Sequence, residues 1–353
     1  MPCGGIARWA HVRCGRQAKG SPAQAFLDIG AMVQWHHGAM NTPVAPAASS
    51  AQPAATSVPA GASPLAGMAL VTLASLLWGT TGTAQSLGAG TLSSFWVGAA
   101  QLVVASVFFA LLHSMPKGRV APPRSRPLPA GLLALAAAGI AGYSIAFYAG
   151  VRLTGVGVGT AVAIGSSPIW AGLIQAVLLR APPSALWWLG TAVSVAGGVA
   201  MVMSKGSAAP LSGVGLVLCL LAGLAYASYA LVNKRLVALA APGWVNLCVF
   251  SGAAALALPV AWLLAGAPQW SLPTLAVVLY LGVVVSGLAY VAFSNGLRSI
   301  SGATGVTLTL IEPVAAFGLA VAIVGEHQPL MAWLGLGLVL AGLLVVIRAE
   351  LRA

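Results

Sequence analysis

The sequence predicts an all-α polytopic membrane protein, ten transmembrane helices arranged as two inverted five-helix repeats. Three observations predict it. Charge is scarce: of 353 residues, 59% are hydrophobic and 6% are charged, whereas soluble domains carry about 25% charged residues. A soluble fold so poor in charge would expose large apolar patches and aggregate, so lipid must be the solvent for most of the surface. Ten apolar runs follow one another from Pro64, and polar and aromatic residues inside the early runs recur about 145–148 residues later.

The spans read in order are 65–86, 94–113, 130–151, 156–179, 185–203, 212–232, 244–264, 273–296, 303–324 and 329–347. Each is ~19–24 residues, enough to cross about 30 Å of hydrocarbon as a helix. Connections such as Arg152 to Gly155 and Gly325 to Gln328 are so short that the helices they join must be antiparallel neighbours. The 43 glycines, many of them inside spans, let helices approach closely in lipid.

The segment before the first span differs. Thr42 to Pro64 is rich in Ala, Pro, Ser and Thr and cannot build a core, so residues 1–63 are expected to be disordered. Its basic start (Arg8, Arg13, Arg16, Lys19) resembles a transit peptide without a clear amphipathic helix, and Met32 or Met40 as the true first residue would leave the fold unchanged. The expected organisation is 1–63, a first repeat over 64–207, a second over 208–348, and a tail at 349–353.

Sixteen Lys and Arg stand against four acids, a net charge of +12. They lie singly or in small groups between apolar runs rather than on one polar face, which argues against nucleic-acid binding and for membrane orientation. The N-terminal four, Lys117, Arg119, Arg124, Arg126, Arg180, Lys234, Arg235, Arg298, Arg348 and Arg352 fall on one side, while only Arg152 and Lys205 fall on the other. Both termini are therefore expected in the cytoplasm, and the membrane is expected to be the plasma (inner) membrane.

The repeat is carried by particular residues. Trp78, Thr81 and Gln85 in span 1 match Tyr226, Tyr229 and Asn233 in span 6. Ser144, Tyr148 and Arg152 in span 3 match Tyr290, Ser294 and Arg298 in span 8. Pro168 matches Pro313, and Trp188 and Gly190 match Trp333 and Gly335. Five helices is an odd number, so the second copy enters from the opposite side. Inverted repeats imply a transporter with a midplane site, reached by rocking one half against the other. A duplicated protein with no pathway is the structural alternative.

Leu77-Trp78-Gly79-Thr80, Ile311-Glu312-Pro313-Val314-Ala315-Ala316, and Gly325-Glu326 before Trp333-Leu334-Gly335 and Gly342 stand in this order. In them the chain resembles the EamA-type transporters of the drug/metabolite transporter superfamily, over roughly 65–347. The resemblance implies ten helices, cytoplasmic termini, a central cavity between the halves, and export or exchange of amino acids or related metabolites. Where the second half has Gly325-Glu326, the first has Arg180-Ala181, so Glu326 is not expected to act as a symmetric element.

Among candidate site residues Glu312 leads. It is the one ionisable residue deep in a span, ~12 Å in from residue 304. An uncompensated charge there costs ~2.5 kcal/mol or more, so such groups usually face a cavity. Its carboxyl suits proton coupling or pairing with a substrate amine; a neutral, hydrogen-bonded structural carboxyl is the alternative. Pro313 and Pro168 would kink matching helices and free carbonyls for the cavity. Trp78, Thr81 and Gln85, facing Tyr226, Tyr229 and Asn233, would line a cavity for a partly aromatic solute, or else serve as interhelical hydrogen-bond partners. Tyr148 and Tyr290 read in the same way. Gln101 and Gln175 have no repeat partner by spacing, and Arg152, Arg298, Glu326, His327 and His113 read as interfacial.

The expected function is secondary transport of a small organic solute, with protons as a candidate coupling ion, lipids as surroundings and a homodimer left open. No GxxxxGK[ST] loop occurs, so ATP-driven transport would need another subunit. An enzyme would need clustered acids, bases or metal ligands at one depth, and the sequence offers none. Cys3, His11 and Cys14 lack a fourth ligand for zinc, and no cofactor is expected. A lipid or lipid-linked-sugar flippase of the same fold remains the alternative.

Overall fold

The computed structural model describes residues 63–88, 92–115, 127–203, 212–322 and 327–352. The N-terminal segment, Lys117, Arg119, Arg124, Arg126, Lys205 and Glu326 lie outside these residues. Ten membrane spans are present: α1 Pro64–Ala84, α2 Ser94–Ser114, α3 Ala130–Thr154, α4 Val158–Val177, α5 Ala185–Met203, α6 Gly213–Leu239, α7 Pro242–Ala265, α8 Leu272–Gly296, α9 Gly302–Leu319 and α10 Leu330–Leu351. The described residues contain no strand. Serines start several helices: the Oγ of Ser63, Ser212, Ser271 and Ser301 each accepts the N–H three residues on, satisfying a donor that lipid could not.

Two boundaries differ from the expected ones, each for a visible reason. The sixth span was expected to end at 232, yet α6 continues to Leu239. Leu236 and Val237 are buried there, and the Lys234 ammonium donates to the carbonyls of Leu297 (2.7 Å) and Arg298 (3.4 Å) at the end of α8. The charge is thus tied to carbonyls that have lost their helical partners. The tenth span runs on to Leu351, through residues assigned to a tail. Glu350 holds it, accepting from the N–H and hydroxyl of Ser301 and the hydroxyl of Thr304 at the start of α9.

The helices pair across the two repeats. α1 packs on α8 and α9; its counterpart α6 packs on α3 and α4; α2 pairs with α7 and α5 with α10. Exchanging each helix for its repeat counterpart returns the same set of pairs, which is the pattern of an inverted repeat with a two-fold axis between the halves. Close backbone approaches follow that symmetry. Gly67 abuts the Gly296 carbonyl, and the matching Gly215 abuts that of Gly150. Gly190 meets Gly342 and Gly197 meets Gly335 between α5 and α10. A Cβ on Gly197 would lie 2.6 Å from the Gly335 oxygen. The molecule's outer face is apolar, with side chains such as Leu263, Leu330 and Leu344 exposed.

Helix continuity is where the halves part. Pro168 sits inside a continuous helix, Val156–Val177, whereas the chain around Pro313 breaks into Gly302–Leu308 and Ile311–Ala322. The two matching prolines therefore sit in different settings, one within a continuous helix and one just after a break. Thr309 N–H and Leu310 N–H turn back to carbonyls three residues earlier, and Pro313 then falls in the first turn of a new helix, where its missing N–H costs nothing. α1 is broken at Gly79–Thr80 into Pro64–Trp78 and Thr81–Gly88, while its counterpart α6 is unbroken. α8 carries a π-helical stretch, Leu281–Leu288.

Gly197→Ala is expected to lower the stability of the detergent-solubilised protein by about 1–3 kcal/mol through overpacking of α5 on α10. Gly337→Ala, with nothing within 4 Å of the added methyl, serves as the control and should be neutral or slightly stabilising. Thermal unfolding of both variants checks this; equal melting of the two would show that the glycine seam is not needed for packing.

Candidate functional site

The two breaks meet. A Cβ on Gly79 would lie 2.5 Å from Ala315 Cβ and 2.8 Å from the Glu312 carbonyl oxygen. Only glycine lets the end of the first α1 piece touch the first turn of the second α9 piece, which gives Leu77-Trp78-Gly79-Thr80 a physical role. The backbone groups released there find partners within the protein. Thr80 donates to Leu77 O (2.7 Å) and takes the Tyr280 hydroxyl (2.7 Å); Thr81 donates to Trp78 O (2.6 Å). Trp78 Nε1 donates to Val285 O (2.9 Å) in the π-helical stretch, as wide turns present carbonyls sideways.

Beside this junction is a cavity of about 800 Å³ between the halves. Trp78 and Thr81 line it from α1, Gln101 from α2, Tyr143, Ser144 and Tyr148 from α3, Tyr226 from α6, Ser286 and Tyr290 from α8, and Glu312 and Pro313 from α9. Its walls are otherwise mostly apolar. It reaches to Thr154 and Gly155 at the end of α3 and to Met201 and Val202 at the end of α5, so it extends from mid-membrane towards the face where α3 joins α4.

Glu312 is half-buried, and its backbone N–H donates to Thr309 O (2.8 Å). Its carboxyl makes no side-chain hydrogen bond or ion pair among the described residues. It shares the cavity lining with Tyr143, Tyr148, Tyr226 and Tyr290. The aromatic rings form one cluster. Trp78 lies 5.1 Å from Tyr290 and 6.0 Å, edge-on, from Tyr226, and Tyr226 lies 5.4 Å from Tyr143. The Tyr226 hydroxyl is buried without a hydrogen-bond partner.

In the opposite half of the membrane the described residues pack closely around a buried polar cluster. Asn233 Nδ2 donates to Ser294 Oγ (3.0 Å), Ser294 Oγ donates to Asn246 Oδ1 (2.8 Å), and Asn246 Nδ2 donates to Tyr290 O (3.1 Å). All three side chains are fully buried. On the cavity side, Tyr148 donates to Gln101 Oε1 (3.2 Å), and Gln101 Nε2 reaches Ser144 (3.5 Å). In each half, then, an amide on the second helix of the repeat engages the third helix.

Of the residues expected to form the pathway, Trp78, Thr81, Tyr148, Tyr226, Tyr290, Glu312 and Pro313 line the cavity. Three do not. Tyr229 is fully buried one turn beyond Tyr226, against Tyr290 and Phe293. Asn233 belongs to the buried polar cluster, and Pro168 lies within α4 away from the lining. The Gln85 side chain is outside the described ones. The lining also holds residues outside the expected pathway, Gln101, Tyr143, Ser144 and Ser286 among them. Gln101 was expected to lack a repeat partner, yet Asn246 stands 145 residues later, the offset of Pro168 and Pro313, and makes parallel contacts. Tyr143 has Ala289 in the matching place, so no spacing signal could have found it.

The EamA-like transporter family model matches residues 65–203 and 213–348, one copy in each half. An uncharacterized transporter of Bacillus subtilis (strain 168), YwfM, is 34% identical over 278 residues, covering 78% of this chain and 92% of that protein. An uncharacterized transporter of Clostridium kluyveri is 24% identical over 135 residues, 37% of this chain and 43% of that protein. A solved crystal structure superposes with a TM-score of 0.67 over 82% of this chain and 98% of its own, at 18% identity, and so shares the fold. With ten spans, two family units and a cavity between them, the chain belongs to the EamA-like transporter family and is a multi-pass membrane transporter.

Proposed function

We propose that the protein is a secondary transporter of the plasma (inner) membrane that exports or exchanges a small organic metabolite, such as an amino acid or an amine, by alternating access. The observation that carries this reading is a mid-membrane cavity reaching one face, with a closely packed, buried polar cluster towards the other, inside an inverted repeat. In such a repeat the alternative packing is the same set of helix pairs with the roles of the halves exchanged, so the cavity would reach the other face. Glu312, standing at the helix junction with no protein partner, is the group to take up either a proton or a substrate amine. The tied polar residues Asn233, Ser294 and Asn246 are the closed gate. Both termini lie in the cytoplasm in this reading, which follows from the Lys and Arg distribution.

Liposome transport tests it. With a panel of labelled amino acids and amines, the wild type should move at least one solute, and a pH gradient should drive that movement. Glu312→Gln should retain exchange while losing the response to the gradient. If no solute moves and lipid is scrambled instead, the metabolite reading fails and a flippase takes its place.

The gate has its own test. Asn246→Ala removes the contacts to Ser294 and Tyr290, leaving buried polar groups unpaired at about 1–3 kcal/mol. In a background without the native cysteines, Ala230→Cys on α6 should then react several-fold faster with a thiol reagent added from the sealed face, a shift of the size such an energy implies. Unchanged labelling would mean that the cluster is not a gate. For orientation, green fluorescent protein fused to the C-terminus should fluoresce and alkaline phosphatase at the same place should be inactive; the reverse result would overturn the cytoplasmic assignment.

A further inference from the structure

The lining of the cavity narrows what it can hold. Among the described lining residues, Glu312 is the single carboxyl, with no Lys, Arg, His or Asp beside it. Among the described residues no Lys, Arg or His pairs with it. A carboxylate at membrane depth without a counter-charge is costly, and a cation supplied by the solute relieves that cost. The surrounding surface is suited to a cation with an apolar body. The faces and edges of Trp78, Tyr143, Tyr226 and Tyr290 stand within 6.0 Å of one another in an unbroken series, and ring faces attract organic cations. The Tyr226 hydroxyl, buried and without a partner, offers an acceptor or donor to whatever enters. A cavity of about 800 Å³ lies in the range that encloses drug-sized molecules.

We propose that the solute bound in this cavity is an apolar organic monocation, an aromatic or alkyl amine without a carboxylate, held by the Glu312 carboxyl among the rings of Trp78, Tyr143, Tyr226 and Tyr290. The inference rests on the transporter reading above and chooses between its two substrate classes. An amine neutralises Glu312 and leaves nothing unpaired. An amino acid brings a second carboxylate, for which the described lining offers no cation, close to the carboxylate already there. An organic anion is worse, since it has no group to offer Glu312 at all.

Three probes that differ only in charge decide it: phenethylamine, phenylalanine and 3-phenylpropionate, each radiolabelled, with tetrapropylammonium as a non-aromatic cation. Binding to the purified full-length protein in detergent is measured first and uptake into proteoliposomes second. Phenethylamine should bind at least about tenfold more tightly than phenylalanine, the difference of one favourable charge pairing against one unpaired carboxylate, and phenylpropionate should bind more weakly than either. Glu312→Gln should bring phenethylamine and phenylalanine to within about threefold of each other, as expected when the charge term is gone. Tyr226→Phe, which keeps the ring, should retain the preference for the amine. The ranking in the wild type needs no variant to fold. Phenylalanine binding as tightly as phenethylamine, or binding by neither cation, overturns the inference. If in that event amino acids are carried into liposomes, the transporter reading stands without it; lipid scrambling alone would overturn both.

Discussion

Every feature of this molecule answers to one constraint: within lipid a backbone N–H or C=O has no water to turn to. Continuous helices meet it by themselves, and eight of the ten spans do so, one of them through a π-helical stretch. The two interruptions, at Gly79–Thr80 and Thr309–Leu310, are tolerable only because protein surrounds them. Threonine hydroxyls, the Tyr280 hydroxyl and the indole of Trp78 occupy carbonyls and hydroxyls around the junction. The cost of breaking a helix is met where the breaks touch each other, and it is there that a carboxyl is placed next to a cavity.

The fold was legible because lipid imposes so simple a code. Apolar length gave the spans, the short connections gave antiparallel neighbours, and the recurrence of Trp188-Leu189-Gly190 as Trp333-Leu334-Gly335 gave the repeat. The site was legible in part. Trp78 and Tyr226 are repeat counterparts, and an inverted repeat brings together those counterparts that lie near its axis, as these two do. Thr81, Gln85, Tyr229 and Asn233 were placed on the same faces by their spacing. A face, however, is not a depth. A stripe spanning seven residues runs ~10 Å along a helix, far enough for Tyr229 and Asn233 to pass out of the cavity into the packed half.

What spacing could not show was where a helix would break. Pro168 and Pro313 are equivalent by position, and a proline alone disturbs one hydrogen bond. The difference arises before the proline. Thr309 can turn its hydroxyl to the Val306 carbonyl (2.7 Å) and close a tight turn; in the first half the equivalent residue is Ile164, which has no hydroxyl to do so. Close approach matters equally, since Gly79 admits the second α9 piece while Ala227, its counterpart, would not leave that room. Such cooperation between residues in different repeats leaves no periodic trace in the sequence.

The unequal breaks also bear on kinetics. If the protein alternates access as proposed, then with identical halves the empty carrier facing one way would be related by a two-fold rotation to the carrier facing the other, and the two would be equally populated. Here each half carries one interrupted helix, at non-equivalent positions, and the deep carboxyl lies in the second half alone, so the two orientations would differ in energy and one would predominate at rest. Solute arriving at the less populated face meets few competent molecules, and its half-saturating concentration there is raised in proportion. Asymmetry in the fold would thus make such a carrier respond to different concentration ranges on the two sides of its membrane, while the final equilibrium across it is still set by the gradients alone.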